Sequence, residues 1–190
     1  MSAPSGLREL ILYATPTGDL QRQCDAYFEH LNLRGWHTTA QTYPPHITLT
    51  GFFWRSPHTH AQVVRSVGEV VEEFGPIEPD AVRIERIGHH DAWVGLEISS
   101  QALADLTHRV VGADIYNPDE DAMRPKDWLH LSLAYGDLAG GATLTDLANL
   151  AKVLIDPNAS AGWEVGLWER LPNGQAVHGA NWQRIEMAPR

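Results

Sequence analysis

The chain has 190 residues, of which 43% are apolar and 20% charged, and its formal net charge is −10. That length supports one compact domain with a sizeable core, and the acidic balance excludes broad electrostatic tracking along a long nucleic acid, which requires many Lys and Arg to neutralise phosphates. No run approaches the roughly 18 consecutive apolar residues of a membrane span, and Met1–Leu10 lacks the basic start and apolar run of a signal peptide.

The single cysteine, Cys24, excludes an internal disulfide and fits a reducing, cytoplasmic setting. It falls among the apolar residues of a predicted helix, which makes it a buried structural thiol. A local basic pocket stays compatible with an acidic surface, so the charge favours a small phosphorylated ligand or a short nucleic-acid end.

Strands and helices alternate along the chain. Leu10–Ala14 is a short apolar run and reads as a strand. Across Gly18–Leu33, the residues Leu20, Cys24, Tyr27, Phe28 and Leu31 recur at helical spacing, and Gly35 closes the helix. Pro45–Phe53 is rich in Thr, Ile and Phe and alternates as a strand. A helix over Pro57–Phe74 follows Ser56 as N-cap, presents Val63, Val64, Val67, Val70, Val71 and Phe74 on one face, and stops at Gly75-Pro76. Strands around Ala81–Ile87 and Ala92–Ile98 are joined by a turn at Gly88-His89-His90-Asp91. Ser99–Val111 forms a third helix, capped by Ser99 or Ser100, with Leu103, Leu106 and Val110 inward. Gly112–Asp127 reads as a long acidic loop and Trp128–Tyr135 as a second alternating strand. Thr143–Ile155 is a fourth helix, with Thr143 and Asp146 as a capping-box variant. Strands at Trp163–Glu169 and Trp182–Met187 flank a turn-like Pro172-Asn173-Gly174. Residues 1–190 are therefore expected to form a single α+β domain whose second half roughly repeats the order of the first.

Two segments stand out against this background: His46-Ile47-Thr48-Leu49 and His130-Leu131-Ser132-Leu133. A strand sends alternate side chains to opposite faces. His46 and Thr48 therefore share one face while Ile47 and Leu49 enter the core, and His130 and Ser132 do the same opposite Leu131 and Leu133. At this composition a given histidine meets the pattern by chance roughly 2% of the time, and two matches on symmetrically placed strands favour a functional pair over surface decoration.

The chemistry follows from the residue types. Cleaving a phosphodiester in line needs a base for the attacking water and an acid for the leaving oxygen, and two imidazoles near neutrality supply both. The hydroxyls of Thr48 and Ser132 would bond the non-bridging oxygens. His58-Thr59-His60 and His89-His90 lack partners at ligand spacing, so neither a metal nor another cofactor is expected.

The pair of His-apolar-Ser/Thr-apolar motifs resembles the signature of the two-histidine (2H) phosphoesterase superfamily, which includes bacterial 2′-5′ RNA ligase-like proteins and plant and fungal cyclic phosphodiesterases. The resemblance implies a bilobal, pseudo-symmetric fold in which two antiparallel sheets face a central groove with helices outside. It implies metal-free hydrolysis of a cyclic phosphate, on a 2′,3′-cyclic nucleotide, an RNA 2′,3′-cyclic end or ADP-ribose. His46 and His130 would be the acid/base pair, without assignment of roles, and Thr48 and Ser132 the phosphate ligands. RNA end-processing by the same histidines, or nucleotide binding without turnover, stand as alternatives. A monomer is expected, with a small nucleotide or short RNA end as substrate and neither long nucleic acid nor membrane as partner.

Around the motifs, Trp128 lies two residues before His130 and either stacks a nucleobase or covers the sheet edge. Tyr43, before Pro44-Pro45, either forms part of the opposite wall or shapes the loop. Phe53 and Trp54 are expected to pack, Tyr135 to join the core with Leu131 and Leu133, and Arg55, Arg124 and Lys126 to be solvated.

Overall fold

The computed structural model describes residues 6–171 and 182–187; the expected turn at Pro172-Asn173-Gly174 lies outside them. The chain opens with strand β1 (Arg8–Gly18) and helix α1 (Asp19–Leu33). Leu20, Cys24, Tyr27 and Leu31 of α1 are buried at helical spacing, and Gly35 leaves the helix at φ 68°. Burial pushes the Cys24 thiol up to about 12, with Asp25 adding to the effect, so it is an inert core residue.

Next come β2 (Ile47–Thr48) and β3 (Phe53–Arg55), then α2 (Pro57–Phe74). The continuous strand expected over Pro45–Phe53 is broken in two. Leu49 N still donates to Leu12 O, but Lys126 N donates to Leu49 O and Gly51 N to Arg124 O. The 124–126 loop thus takes over as backbone partner, and the chain bends at Gly51 before β3 rejoins β1. Ser56 caps α2 by accepting from Thr59 N, with Pro57 in the first turn as expected.

A hairpin of β4 (Arg83–His90) and β5 (Trp93–Ser99) precedes α3 (Gln101–Gly112), capped by Ser100. Gly88, His89 and His90 pair with Gly95, Val94 and Trp93, so they belong to the hairpin ladder and the turn is confined to Asp91-Ala92. Glycine is needed at position 88 because the Trp93 ring and the Glu97 side chain crowd the space a Cβ would fill. After the long loop come β6 (His130–Tyr135), α4 (Leu144–Leu154) with the Thr143/Asp146 capping box, β7 (Ala161–Arg170) and β8 (Trp182–Arg184).

The eight strands form one antiparallel sheet in the order β4-β5-β6-β2-β1-β7-β8, with β3 also on β1. The resemblance implied two facing sheets. Here a three-stranded block, β4-β5-β6, and a five-stranded one, β2-β1-β7-β8 with β3 on β1, meet at a seam of one residue pair, Ile47 and Leu131. The two motif strands sit side by side at that seam.

One large core lies under the helices, where Leu10, Leu12 and Ala14 of β1 meet Leu20, Val63, Leu106, Leu131 and Leu147. The opposite face of β1 carries Ile11 and Tyr13, which pack with Trp182, Tyr43 and Trp168 in a smaller aromatic cluster. Arg55 is not solvated. It is fully buried, ion-paired with Asp114, bonded to the carbonyls of Ile115 and Asp121, and stacked over Phe53 at 4.7 Å. A buried guanidinium persists only when paired and hydrogen-bonded, and here it ties the long loop to β3.

Among the described residues no helix is long and apolar enough to cross a membrane.

Candidate functional site

Pro44 and Pro45 hold the approach to β2 extended, and this places His46 at the mouth of the seam. Its Nδ1 lies 2.7 Å from the carbonyl oxygen of Pro44, two residues back. A carbonyl only accepts, so Nδ1 carries the hydrogen and the neutral ring presents its Nε2 lone pair. His130 repeats the device: its Nδ1 lies 3.1 Å from the carbonyl of Trp128, again two residues back. Both rings therefore have the same tautomer fixed by local backbone, at matching positions of the two motifs.

His46 and His130 line one cavity of about 450 Å³ together with Thr48, Tyr13, Tyr43 and Lys126. Ile47, Leu49, Leu131 and Leu133 are fully buried on the helix side, as strand alternation requires. His46 is only 9% exposed. Burial pushes its imidazole down to about 4, the Pro44 hydrogen bond opposes that, and the charge of a protonated His130 adds to it. His130 is also held below the ordinary histidine range, first by burial, against the Trp128 hydrogen bond, with Lys126 and His90 contributing.

Ser132 is nearly buried, and its Oγ accepts a 3.0 Å hydrogen bond from the Trp93 indole. Its hydroxyl also bonds the Tyr135 phenol, and Ser132 stands behind the cavity wall rather than among the residues that line it. Thr48 is less buried and lines the cavity directly. Tyr43 also lines it, 5.7 Å from the His46 ring, so it forms part of the wall. Trp128 has a different position: its ring stacks on His130 at 4.0 Å and 26° while it remains 46% exposed. It covers the imidazole, and its outer face is open to solvent.

Several cavity residues carry no mark in the motifs. Tyr13 lies 3.8 Å from the His46 ring, and its phenol is raised, first by burial and then by Tyr43 and Tyr135. The legible signal was its alternation with Leu10, Leu12 and Ala14. Phe52 and Asp137 also line the cavity. Asp137 is fixed by Thr38 and Thr39, whose hydrogen bonds outweigh burial and keep its carboxyl below the usual range.

Tyr135 was expected in the core but lines the cavity. Ser132 pairs with Gly95 and Ala134 with Val94, so two steps on β6 oppose one on β5. This bulge inverts the alternation beyond Ser132: Leu133 and Ala134 are both buried in the core, and Tyr135 swings to the histidine face. Arg124 is exposed as expected, whereas Lys126 is exposed yet lines the cavity, its backbone fixed on Leu49. Among the described residues no three His, Cys, Asp or Glu side chains cluster as metal ligands would.

The fold and cavity thus define an α+β protein with paired, backbone-anchored histidines on adjacent strands. No protein-family model matches the chain. It is 28% identical over 173 residues to a Bombyx mori protein named ecdysteroid-phosphate phosphatase, covering 87% of this chain and 25% of that protein. It is 23% identical over 202 residues to the Drosophila melanogaster protein of the same name, covering 87% of this chain and 26% of the relative. The chain spans about a quarter of the length of the curated relatives it matches. Their name describes a phosphate-ester hydrolase and belongs to those whole proteins.

Proposed function

We propose that this chain is a phosphoester hydrolase, and within that class a phosphodiesterase that opens a cyclic phosphate by two-histidine acid/base catalysis. The observation that carries this reading is the pair of imidazoles in one cavity, each with Nδ1 tied to the carbonyl two residues back and Nε2 left for chemistry. The phosphatase name of the two relatives supports phosphoester chemistry in general. The restriction to a cyclic diester rests on the motif pair and its resemblance to the 2H superfamily.

The roles follow from burial. With its imidazole at about 4, His46 is neutral at pH 7 and is the base. Burial holds His130 below the ordinary histidine range too, but it is more exposed than His46, and stacking under an indole works in favour of its cation. An anionic phosphate beside it raises its proton affinity further, so it is the acid. Water attacks phosphorus as His46 Nε2 takes its proton. One ring P–O bond breaks, and the departing ribose oxygen receives the Nε2 proton of His130. The product is a phosphomonoester with a free neighbouring hydroxyl, and a proton relayed from His46 to His130 restores the enzyme. Thr48, in the cavity lining, bonds a non-bridging oxygen, Ser132 reaches another by turning its hydroxyl from Tyr135, and Lys126 supplies positive charge at the rim.

The substrate on this reading is a small nucleotide or short RNA end, handled without a metal or other cofactor by a monomer. The test is hydrolysis of 2′,3′-cyclic nucleotides in EDTA beside 4-nitrophenyl phosphate, a plain monoester. The reading expects turnover of the cyclic diester and at least a hundredfold lower kcat/KM on the monoester, roughly the smaller contribution of one general-acid or general-base group. A preference for the monoester would replace it with a phosphomonoesterase.

A further inference from the structure

Beside the histidine cavity lies a second one, of about 530 Å³, which the chemistry above does not use. Its walls include Tyr43, Pro44, Trp168 and Trp182, with Asp25 and Gln183 at its polar edge. The two cavities adjoin, as three features show. Tyr43 lines both. Phe52, which lines the first and is half exposed, stacks at 5.4 Å and 17° on Trp182, which lines the second. Trp168 sits directly across from Ile11 in the β1–β7 ladder, on the sheet face that floors the histidine cavity.

We propose that this second cavity is a base subsite, which takes the nucleobase of the nucleotide preceding a terminal cyclic phosphate. This rests on the phosphodiesterase reading and narrows it from cyclic mononucleotides to the cyclic ends of short strands. The walls suit a flat ring: the half-buried Trp168 indole, the Tyr43 phenol and the prolines offer π and apolar surface on which any base stacks, with the buried Trp182 as backing. The charges exclude a phosphate as the occupant. The cation of the lining, Arg184, is bound to Glu164 at 2.6 Å and sits against the Val165 carbonyl, while the exposed Asp25 carboxylate would repel an anion. Asp25 instead offers acceptors for the ring N–H or amino group of a base, and Gln183 offers both donor and acceptor. The shared Tyr43 wall and the half-exposed Phe52, backed by Trp182, line the way for a strand from one cavity to the other.

The experiment uses a dinucleotide in which 2-aminopurine riboside is joined 3′–5′ to adenosine 2′,3′-cyclic phosphate. 2-Aminopurine loses fluorescence when stacked on an indole, so binding to the His46→Ala protein reads the subsite without turnover. The proposal expects quenching on binding, and in the active protein a kcat/KM for the dinucleotide roughly fivefold or more above that for adenosine 2′,3′-cyclic phosphate, the low end of aromatic–base stacking. Gln183→Trp fills the cavity from an exposed strand position and Asp25→Ala removes its carboxylate from an exposed helix position. Both should shrink the dinucleotide-to-mononucleotide ratio towards one and weaken quenching. Turnover of both substrates at equal efficiency with an unquenched probe overturns the subsite and leaves the phosphodiesterase reading standing. Absence of turnover on both overturns that reading, and the quenching measurement still decides whether the cavity binds a base.

Discussion

Replacing Gly95 with alanine would set a methyl carbon 2.3 Å from the Leu131 carbonyl oxygen and 2.4 Å from a ring carbon of Trp93. Neither neighbour has room to yield. Leu131 is backbone in the second motif strand, and Trp93 is buried, hydrogen-bonded to Ser132 and edge-on to His130 at 5.4 Å. Overpacking of a filled core costs about 1–3 kcal/mol, and a clash against backbone belongs at the upper end. For a chain of this length about 3 kcal/mol lowers Tm by roughly 6–12 °C. The same strain separates β5 from β6 and moves His130 and Ser132, and a displacement near 1 Å costs on the order of a hundredfold in rate. Thermal unfolding and kcat on a 2′,3′-cyclic nucleotide read the two effects, with Gly112→Ala as control because a Cβ there meets nothing within 4 Å. A Gly95→Ala protein with Tm within 2 °C of the parent and kcat within about twofold would refute the packing argument, since overpacking predicts at least about 1 kcal/mol.

With His46 near 4 as base and His130 held below 6.5 as acid, kcat/KM should rise through about pH 4 and fall before pH 6.5; a profile still climbing at pH 8 would contradict these roles. Asp114→Ala strands the fully buried Arg55 guanidinium and should cost about 3–5 kcal/mol in urea unfolding, far more than a surface ion pair. Burial would raise the Glu120 carboxyl, but hydrogen bonds from Thr59 and from the Asn117 and Ser56 amides outweigh it and hold it at about 2. A depressed carboxyl stabilises the fold above its unfolded value of 4.5, and that contribution fades as pH falls towards 2. Glu120→Gln should therefore flatten the acid limb of a stability curve and lose about 2 kcal/mol at pH 7.

The parts of the site that follow from strand alternation were legible in the sequence. His46 with Thr48 and His130 with Ser132 each fall on one face, with aliphatics opposite, because a period of two needs no knowledge of the partner strand. Caps were equally local, as Ser56, Ser100 and Thr143 show. The misreadings all depended on distant residues. Tyr135 reached the cavity through a bulge set by pairing with β5, far back in the chain. Arg55 was buried because its carboxylate, Asp114, arrives from the long loop. The motif strand broke at Gly51 because the 124–126 loop supplied its backbone partners. His89 and His90 resembled turn residues until the register with Val94 and Trp93 placed them in the ladder.

The central claim is that His46 and His130 together transfer the protons of phosphodiester cleavage without a metal. Initial rates on a 2′,3′-cyclic nucleotide in excess EDTA, for the parent, His46→Ala and His130→Ala, test it most directly, with circular dichroism to establish that each variant is folded. Undiminished parental turnover in EDTA, with each variant slowed by a hundredfold or more, is the predicted result. Loss of parental activity in chelator, or a folded variant that keeps full activity, would contradict it.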